Sequence, residues 1–362
     1  MTFSVEFAAR VHPARRRHPA DAVSPAPRSV WGELARTAPT AMPTQAPEWT
    51  DCICSYAAYR DASRYYRFAN GQEIVVPLVR RSWTTGSLAI RGSLPFAWGY
   101  GGLLSRYPVT PDEAARVVGD LGGAGFSLRV CPNPTQAALW RGAMPKRAAA
   151  TARRCHILDI EGGFEAVWRD RFLGKTRRKI AKAQRLGVQV TRDTTGEAAA
   201  IFYELYRRSL ERWAVRQNEP LWLARRRAAL RDPRCKILHI ARFMGEACRV
   251  WVASHEGRPV AASLVLVGRN ADDIMCAMDK DLAAPINAND LLLRHSIEDA
   301  CQSGCTQYHF GESGTSVGLA QFKERFGAVP VAYEDYRLER VPMSRAGSLA
   351  RAVVKKAIGF KD

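Results

Sequence analysis

Apolar and polar positions along the chain alternate between a period of two and a period near 3.6. Apolar runs at 65–69 and 74–79 flank Asn70-Gly71, the dipeptide that best tolerates positive φ, and predict a β-hairpin. Strand follows around 88–90 and again at 126–130, and Thr110-Pro111-Asp112-Glu113 opens a helix between them. A helix over 169–185 closes at Gly187 and leads into a strand at Val188. Helices over 198–213 and 221–230 come next. Strands are expected at 237–241, 249–253, 259–267 and 273–278, the second and third turning at Glu256-Gly257-Arg258. Asn289-Asp290 caps a helix over 291–301 that ends at Gly304, and a strand covers 306–310. A glycine and hydroxyl loop, a short helix with Phe322 and Phe326 on one face, and a strand over 329–338 complete the pattern. The fold class is α/β (α+β), with mixed, mostly antiparallel sheet flanked by helices.

A chain of 362 residues exceeds one ordinary core and divides into two domains of about 150 residues. Residues 1–47, rich in Pro, Ala and Arg, read as a disordered or loosely docked basic extension. The divisions that follow are a first domain over 48–160, a basic linker over 161–187, a second domain over 188–340 and a basic amphipathic tail over 341–362.

Charge changes this picture. Fifty-four Lys and Arg against thirty-five Asp and Glu give +19, which favours polyanionic partners such as RNA, nucleotide phosphates or an acidic membrane face. The excess clusters in the helix over 169–185, where Arg178, Lys182 and Arg185 project together beside Arg177. A phosphate-facing surface and a plain solvated face both fit that helix. The nine cysteines are odd in number and irregular in spacing, so the expected compartment is the reducing cytoplasm, with no metal site. Cys301, Cys305 and His309 have metal-like spacing, but Gly304 separates a helix from a strand within that run, and no second cluster completes a zinc site. No apolar run is long enough to span a bilayer. In the tail, Leu349, Val353, Ala357 and Phe360 share a helical face with basic residues elsewhere, which suits either domain docking or peripheral contact with the inner membrane face.

The candidate chemistry centres on 311–328. Its glycine and hydroxyl loop can bring backbone N–H groups to an anion, and Lys323 sits beside Phe322 on the helix that follows. A second candidate wall is the loop over 96–102, with Trp98 and Tyr100 among glycines.

Taken in order, these pieces resemble the Fem-type branch of the GNAT acyltransferase superfamily over about 48–340, as two tandem GNAT-like domains. Arg177-Arg178-Lys179-Ile180-Ala181-Lys182-Ala183 with Gly187-Val188 resembles the family's basic helix, Gly257 to Ala262 its central hairpin, and Phe322-Lys323 its Phe-Lys signature. The resemblance implies amide formation: an activated acyl or aminoacyl group moves to an amine on a cell-envelope or polysaccharide-type acceptor. The donor co-substrate is aminoacyl-tRNA or acyl-CoA, with no bound cofactor. The resemblance also implies that Lys323 stabilises charge near the acyl group and that Arg212 helps hold acceptor phosphates, although Leu210 and Trp213 depart from the wall-bridge enzymes. Residues 284–290 lack the glycines of the usual coenzyme A pyrophosphate cradle, which tilts the donor towards aminoacyl-tRNA or another phosphorylated carrier. Glu312 and His309 are both candidate bases. The competing reading is a non-catalytic basic protein that binds RNA or another polyanion.

Overall fold

The computed structural model describes residues 21–56, 58–123, 125–341, 356, 359 and 360. The arginine cluster at 15–17 and most of the expected tail helix lie outside these residues.

The first half runs β1 (Asp21–Val23), α1 (Arg28–Thr37), α2 (Pro47–Cys54), β2 (Tyr59–Asp61), β3 (Arg64–Arg67), β4 (Glu73–Val76), β5 (Val79–Arg81) and β6 (Ile90–Gly92). It continues through α3 (Pro111–Gly123), β7 (Ser127–Val130), α4 (Ala137–Ala143) and β8 (Ala149–Asp159). The second half opens with α5 (Gly163–Ala166), α6 (Gly174–Arg185), β9 (Gln189–Asp193), α7 (Ala199–Arg216), α8 (Leu221–Arg231) and α9 (Arg234–Met244). It ends with β10 (Cys248–His255), β11 (Arg258–Val267), β12 (Ala271–Met278), α10 (Lys280–Ala283), α11 (Ala288–Gln302), β13 (Gln307–Glu312), α12 (Val317–Glu324) and β14 (Val329–Glu339).

Among the described residues, eleven strands form one sheet in the order β2-β5-β6-β7-β14-β8-β13-β12-β11-β10-β9, and β1-β3-β4 form a small second sheet. Pairing is antiparallel except at β6–β7 and β12–β13. Each parallel pair is joined by a helical crossover, α3 in the first half and α11 in the second, so the two halves repeat one β-α-β device. The halves also exchange strands. β8 pairs with β13, while β14, last in the chain, inserts between β7 and β8.

Both faces of the second-half sheet are covered, as period-two burial requires. Cys248, Val250, Val252, Ala262 and Leu264 face α7, α9 and α2 in one core. Trp251, Ala253, Ala261 and Val265 face α6 and α11 in another.

Two expectations are corrected. Residues 237–241 are part of helix α9, not a strand. Ile237, Ile240, Ala241 and Met244 fall at i, i+3, i+4 and i+7 and are all buried, a helical stripe that a five-residue window reads as a strand. From Asp21 onward the extension is not loose. The fully buried Trp31 anchors α1, its indole N–H donating to the Gln45 carbonyl at 2.7 Å. Its ring and the aliphatic side chains around it form their own core cluster with Tyr65 and Val75.

Candidate active site

The site begins where β12 and β13 part. They pair at Ala271↔Tyr308 and Asp272↔His309 and no further. Immediately beyond, the β13–β8 register shifts between His309 and Glu312, with Gly311 at φ +65, a conformation that glycine adopts without strain. The gap opens into a cavity of about 800 Å³. Its walls are Asp273 to Cys276 from β12, Phe310 to Glu312 from β13, and Phe322 with Lys323 from α12. Helix α7 closes the remaining side. Ser209 Oγ donates to the Met278 carbonyl at 3.0 Å, and Arg212 donates to the same oxygen at 3.0 Å.

Lys323 is buried, not a surface lysine lying along Phe322. Its ammonium donates at 2.9 Å to the carbonyl oxygens of both Gly311 and Glu312, fastening α12 to the β13 bulge. An ammonium has three N–H groups, so one donor is left over at the cavity wall. Burial lowers its pKa to about 8, opposed first by the negative potential of Asp273.

Asp273 lines this cavity and accepts from Ser263 Oγ at 2.6 Å. Desolvation raises its pKa to about 7, with Ser263 and Lys323 opposing the shift. Its neighbour Asp272 points from the opposite face of β12, is 2% exposed, and is raised to about 8 by burial and by the charge of Asp273. Two adjacent carboxyls near the start of an otherwise apolar strand are the part of the site that the sequence reading missed. The signal was present as Asp272-Asp273 inside the strand run.

A second chamber of about 370 Å³ adjoins the first, and the two share Trp213, Asp273 to Cys276, Gly311 and Glu312. Trp98 and Tyr100 line this chamber, and both are buried. The two rings of Trp49 and Trp98 meet edge to face at 5.5 Å. Lys236 Nζ lies 4.4 Å from the centre of the Trp98 ring while paired to Asp232 at 2.9 Å.

The structure thus brings Lys323, Glu312, Phe322 and Arg212 to one cavity and Trp98, Tyr100 and Glu312 to the adjoining chamber. Arg177, Arg178 and Lys182 line neither. Arg177 donates to the carbonyls of Trp168, Arg169 and Phe172, closing off the turn before α6, while Lys182 donates to the Pro285 carbonyl at 3.2 Å. His309 is fully buried and burial lowers its pKa to about 3, so it stays neutral and stands beneath the site rather than in it. Glu312 accepts from the Tyr333 hydroxyl at 2.5 Å and lies 3.6 Å from Arg153, so its carboxylate is already engaged.

The N-terminus of α11, the usual seat of a pyrophosphate, is filled from within. Asp290 in its first turn is buried and ion-paired with Arg325, whose guanidinium stacks over Phe322 at 4.5 Å. Positive charge lies instead at the cavity wall, from Arg212, Arg216 and Lys280.

Residues 170–324 match the acetyltransferase (GNAT) domain family. The chain carries a GNAT domain within a Fem-like fold. The crystal structure of FemX superposes with a TM-score of 0.64, covering 88% of this chain and 97% of that one at 11% identity. A conserved protein of unknown function from Bacteroides thetaiotaomicron VPI-5482 gives 0.52, covering 86% and 95% at 10% identity. No curated protein matches the chain. The matched GNAT segment holds α6 to α12, and so contains both walls of the β12–β13 gap. Acyl transfer is the activity class of the matched GNAT domain family. Among the described residues no helix is long and apolar enough to cross a membrane, and no cluster of His, Cys, Asp and Glu is arranged to hold a metal ion.

Proposed function

We propose that the protein forms an amide by moving an acyl or aminoacyl group from a phosphorylated carrier to an amine on an envelope or glycan-type acceptor, in the gap between β12 and β13. The observation that carries this reading is the pairing, at one gap, of a buried lysine cation with a carboxyl titrating near neutrality. The donor carbonyl sits in the larger cavity, and the acceptor amine approaches from the chamber side. As the C–N bond forms, the amine's proton passes to Asp273, and negative charge on the carbonyl oxygen is met by the remaining N–H of Lys323. The bond to the carrier then breaks, and the proton on Asp273 neutralises the departing oxygen or sulfur. Neutral imidazole at His309 takes no part.

Aminoacyl-tRNA is the donor this geometry favours. The α11 N-terminus already carries its own carboxylate, and phosphates are met by side-chain charge at Arg212, Arg216 and Lys280. Acyl-CoA is the alternative. Incubating the protein with labelled aminoacyl-tRNA or acyl-CoA, each with an amine acceptor pool, and following label into an alkali-stable amide separates the two. Label transferred from neither donor, with tRNA merely bound, supports the polyanion-binding reading instead.

A further inference from the structure

The smaller chamber contains two side chains that the fold leaves open, and they are of opposite character. Asp272 Oδ2 is buried without a hydrogen-bond partner among the described residues, while its carboxyl lines the chamber. A carboxyl taken from water and left unmatched is destabilising, and a fold retains one where a ligand completes it. Arg153 Nε is likewise buried without a hydrogen-bond partner among the described residues. The nearest acids to its guanidinium are Glu312 at 3.6 Å and Asp335 at 3.9 Å, beyond good hydrogen-bond length. Both acids have closer partners, Glu312 in Tyr333 and Asp335 in Arg129.

The other charged groups of the chamber are matched. Arg231 and Lys236 share Asp232, Lys236 also donates to the Ala97 carbonyl at 3.0 Å, and Asp273 holds Ser263. The two open groups lie on one face of the sheet. Asp272 pairs across to His309, His309 to Ile157, and Arg153 is four residues from Ile157 along β8. That is two strands across and four residues along, roughly 10 by 13 Å between Cα positions, part of which the long arginine side chain spans. Trp98 and Tyr100 line the same chamber.

We propose that this chamber recognises an acceptor carrying a primary amine at one end and an acidic group several bonds away, Asp272 receiving the amine and Arg153 the acid. The proposal deepens the acyl-transfer reading and rests on it for the direction of the amine, since the chamber that Asp272 lines is also lined by Asp273. An α-amino acid is too short to reach both ends. The aromatic walls suit a ring or aliphatic body between the two charges.

The test is ligand binding, which needs no transfer. The full chain is titrated calorimetrically with the ω-amino acids from 4-aminobutanoate to 8-aminooctanoate, with glycine, and with the matching alkylamines and alkanoates. At one chain length the ω-amino acid is expected to bind at least about tenfold tighter than its amine or acid analogue. Asp272→Asn, checked for folding by its melting curve, brings the ω-amino acid down to the alkanoate's affinity and leaves the alkanoate unchanged. Arg153→Gln brings it down to the alkylamine's. Equal binding of all probe classes, or an ω-amino acid advantage that survives Asp272→Asn, overturns the proposal. Intact discrimination with no acyl transfer from any donor counts against the reaction and leaves the chamber's specificity standing.

Discussion

The Lys323 ammonium lies 2.9 Å from the carbonyl oxygen of Gly311, across the point where β13 bulges and leaves its parallel partner. One lysine therefore holds the bulge that opens the gap and presents a cation to the cavity that the gap creates. Structure and chemistry are joined in that contact, and variants of Lys323 must be read with a folding control beside each rate.

Activity is expected to follow a bell with pH. Asp273 must be ionised to take the amine's proton, so the rate rises through about 7; Lys323 must be charged, so it falls through about 8. The groups acting on Lys323 are Asp273, Cys155, Cys276 and Glu312, and those on Asp273 are Ser263 and Lys323. Because the two titrate against one another, the limbs belong to the pair. A kcat/KM profile against pH checks this. Asp273→Asn is expected to lower the rate and erase the acidic limb, and a flat profile in the wild type would count against the pair.

Asp272 burdens the fold. Its carboxyl is raised from 3.8 to about 8, so the folded state keeps a proton that the unfolded state releases, and stability falls as pH rises between those values. The upper limit of that loss is roughly 6 kcal/mol. Asp272→Asn is expected to be more stable than wild type by about 1–3 kcal/mol near pH 8, the difference vanishing below pH 4. Urea melts at a series of pH values measure it. A variant less stable than wild type at pH 8 would mean that Asp272 has a partner in the free protein.

Donor binding should depend on salt through Arg216 and Arg212. Arg212 is half-buried, bonded to the Met278 carbonyl, and its pKa is lowered by burial and by the charge of Arg216. Arg216→Ala is expected to weaken binding of a phosphorylated donor several-fold and to reduce the slope of log K against log salt by about one. Filter binding at several salt concentrations decides it.

How much of this was legible in sequence depends on the range of the signal. The hairpin around Asn70-Gly71 and the order β10 to β14 follow from local period and turn chemistry, and the structure has them. Lys323 was legible through its setting beside Phe322 and Phe326. Helix α9 was not, because a short apolar run fits both periods. Nor was the strand exchange of β8 and β14, which is set by pairing between residues far apart in the chain. Asp272 and Asp273 passed unread for a related reason. Their chemistry comes from burial against α7, β13 and α12, and no local pattern reports burial.

The ion pair between Asp290 and Arg325 ties α12 to the start of α11, and both side chains are largely buried. Arg325→Met leaves a buried carboxylate alone and is expected to cost about 3 kcal/mol of stability. The lysine helix loosens with it, so transfer falls more than donor binding does. Thermal melts and single-turnover rates on the same preparation separate the two effects.

The central claim is that acyl transfer takes place in the β12–β13 gap with Lys323 meeting the oxyanion. Single-turnover transfer from saturating labelled donor to an amine acceptor, wild type against Lys323→Met with donor affinity measured in parallel, tests it most directly. The account predicts amide formation by the wild type and a loss of at least about 100-fold in the variant, some 3 kcal/mol, at nearly unchanged donor affinity. Transfer by a folded Lys323→Met protein at the wild-type rate would contradict it.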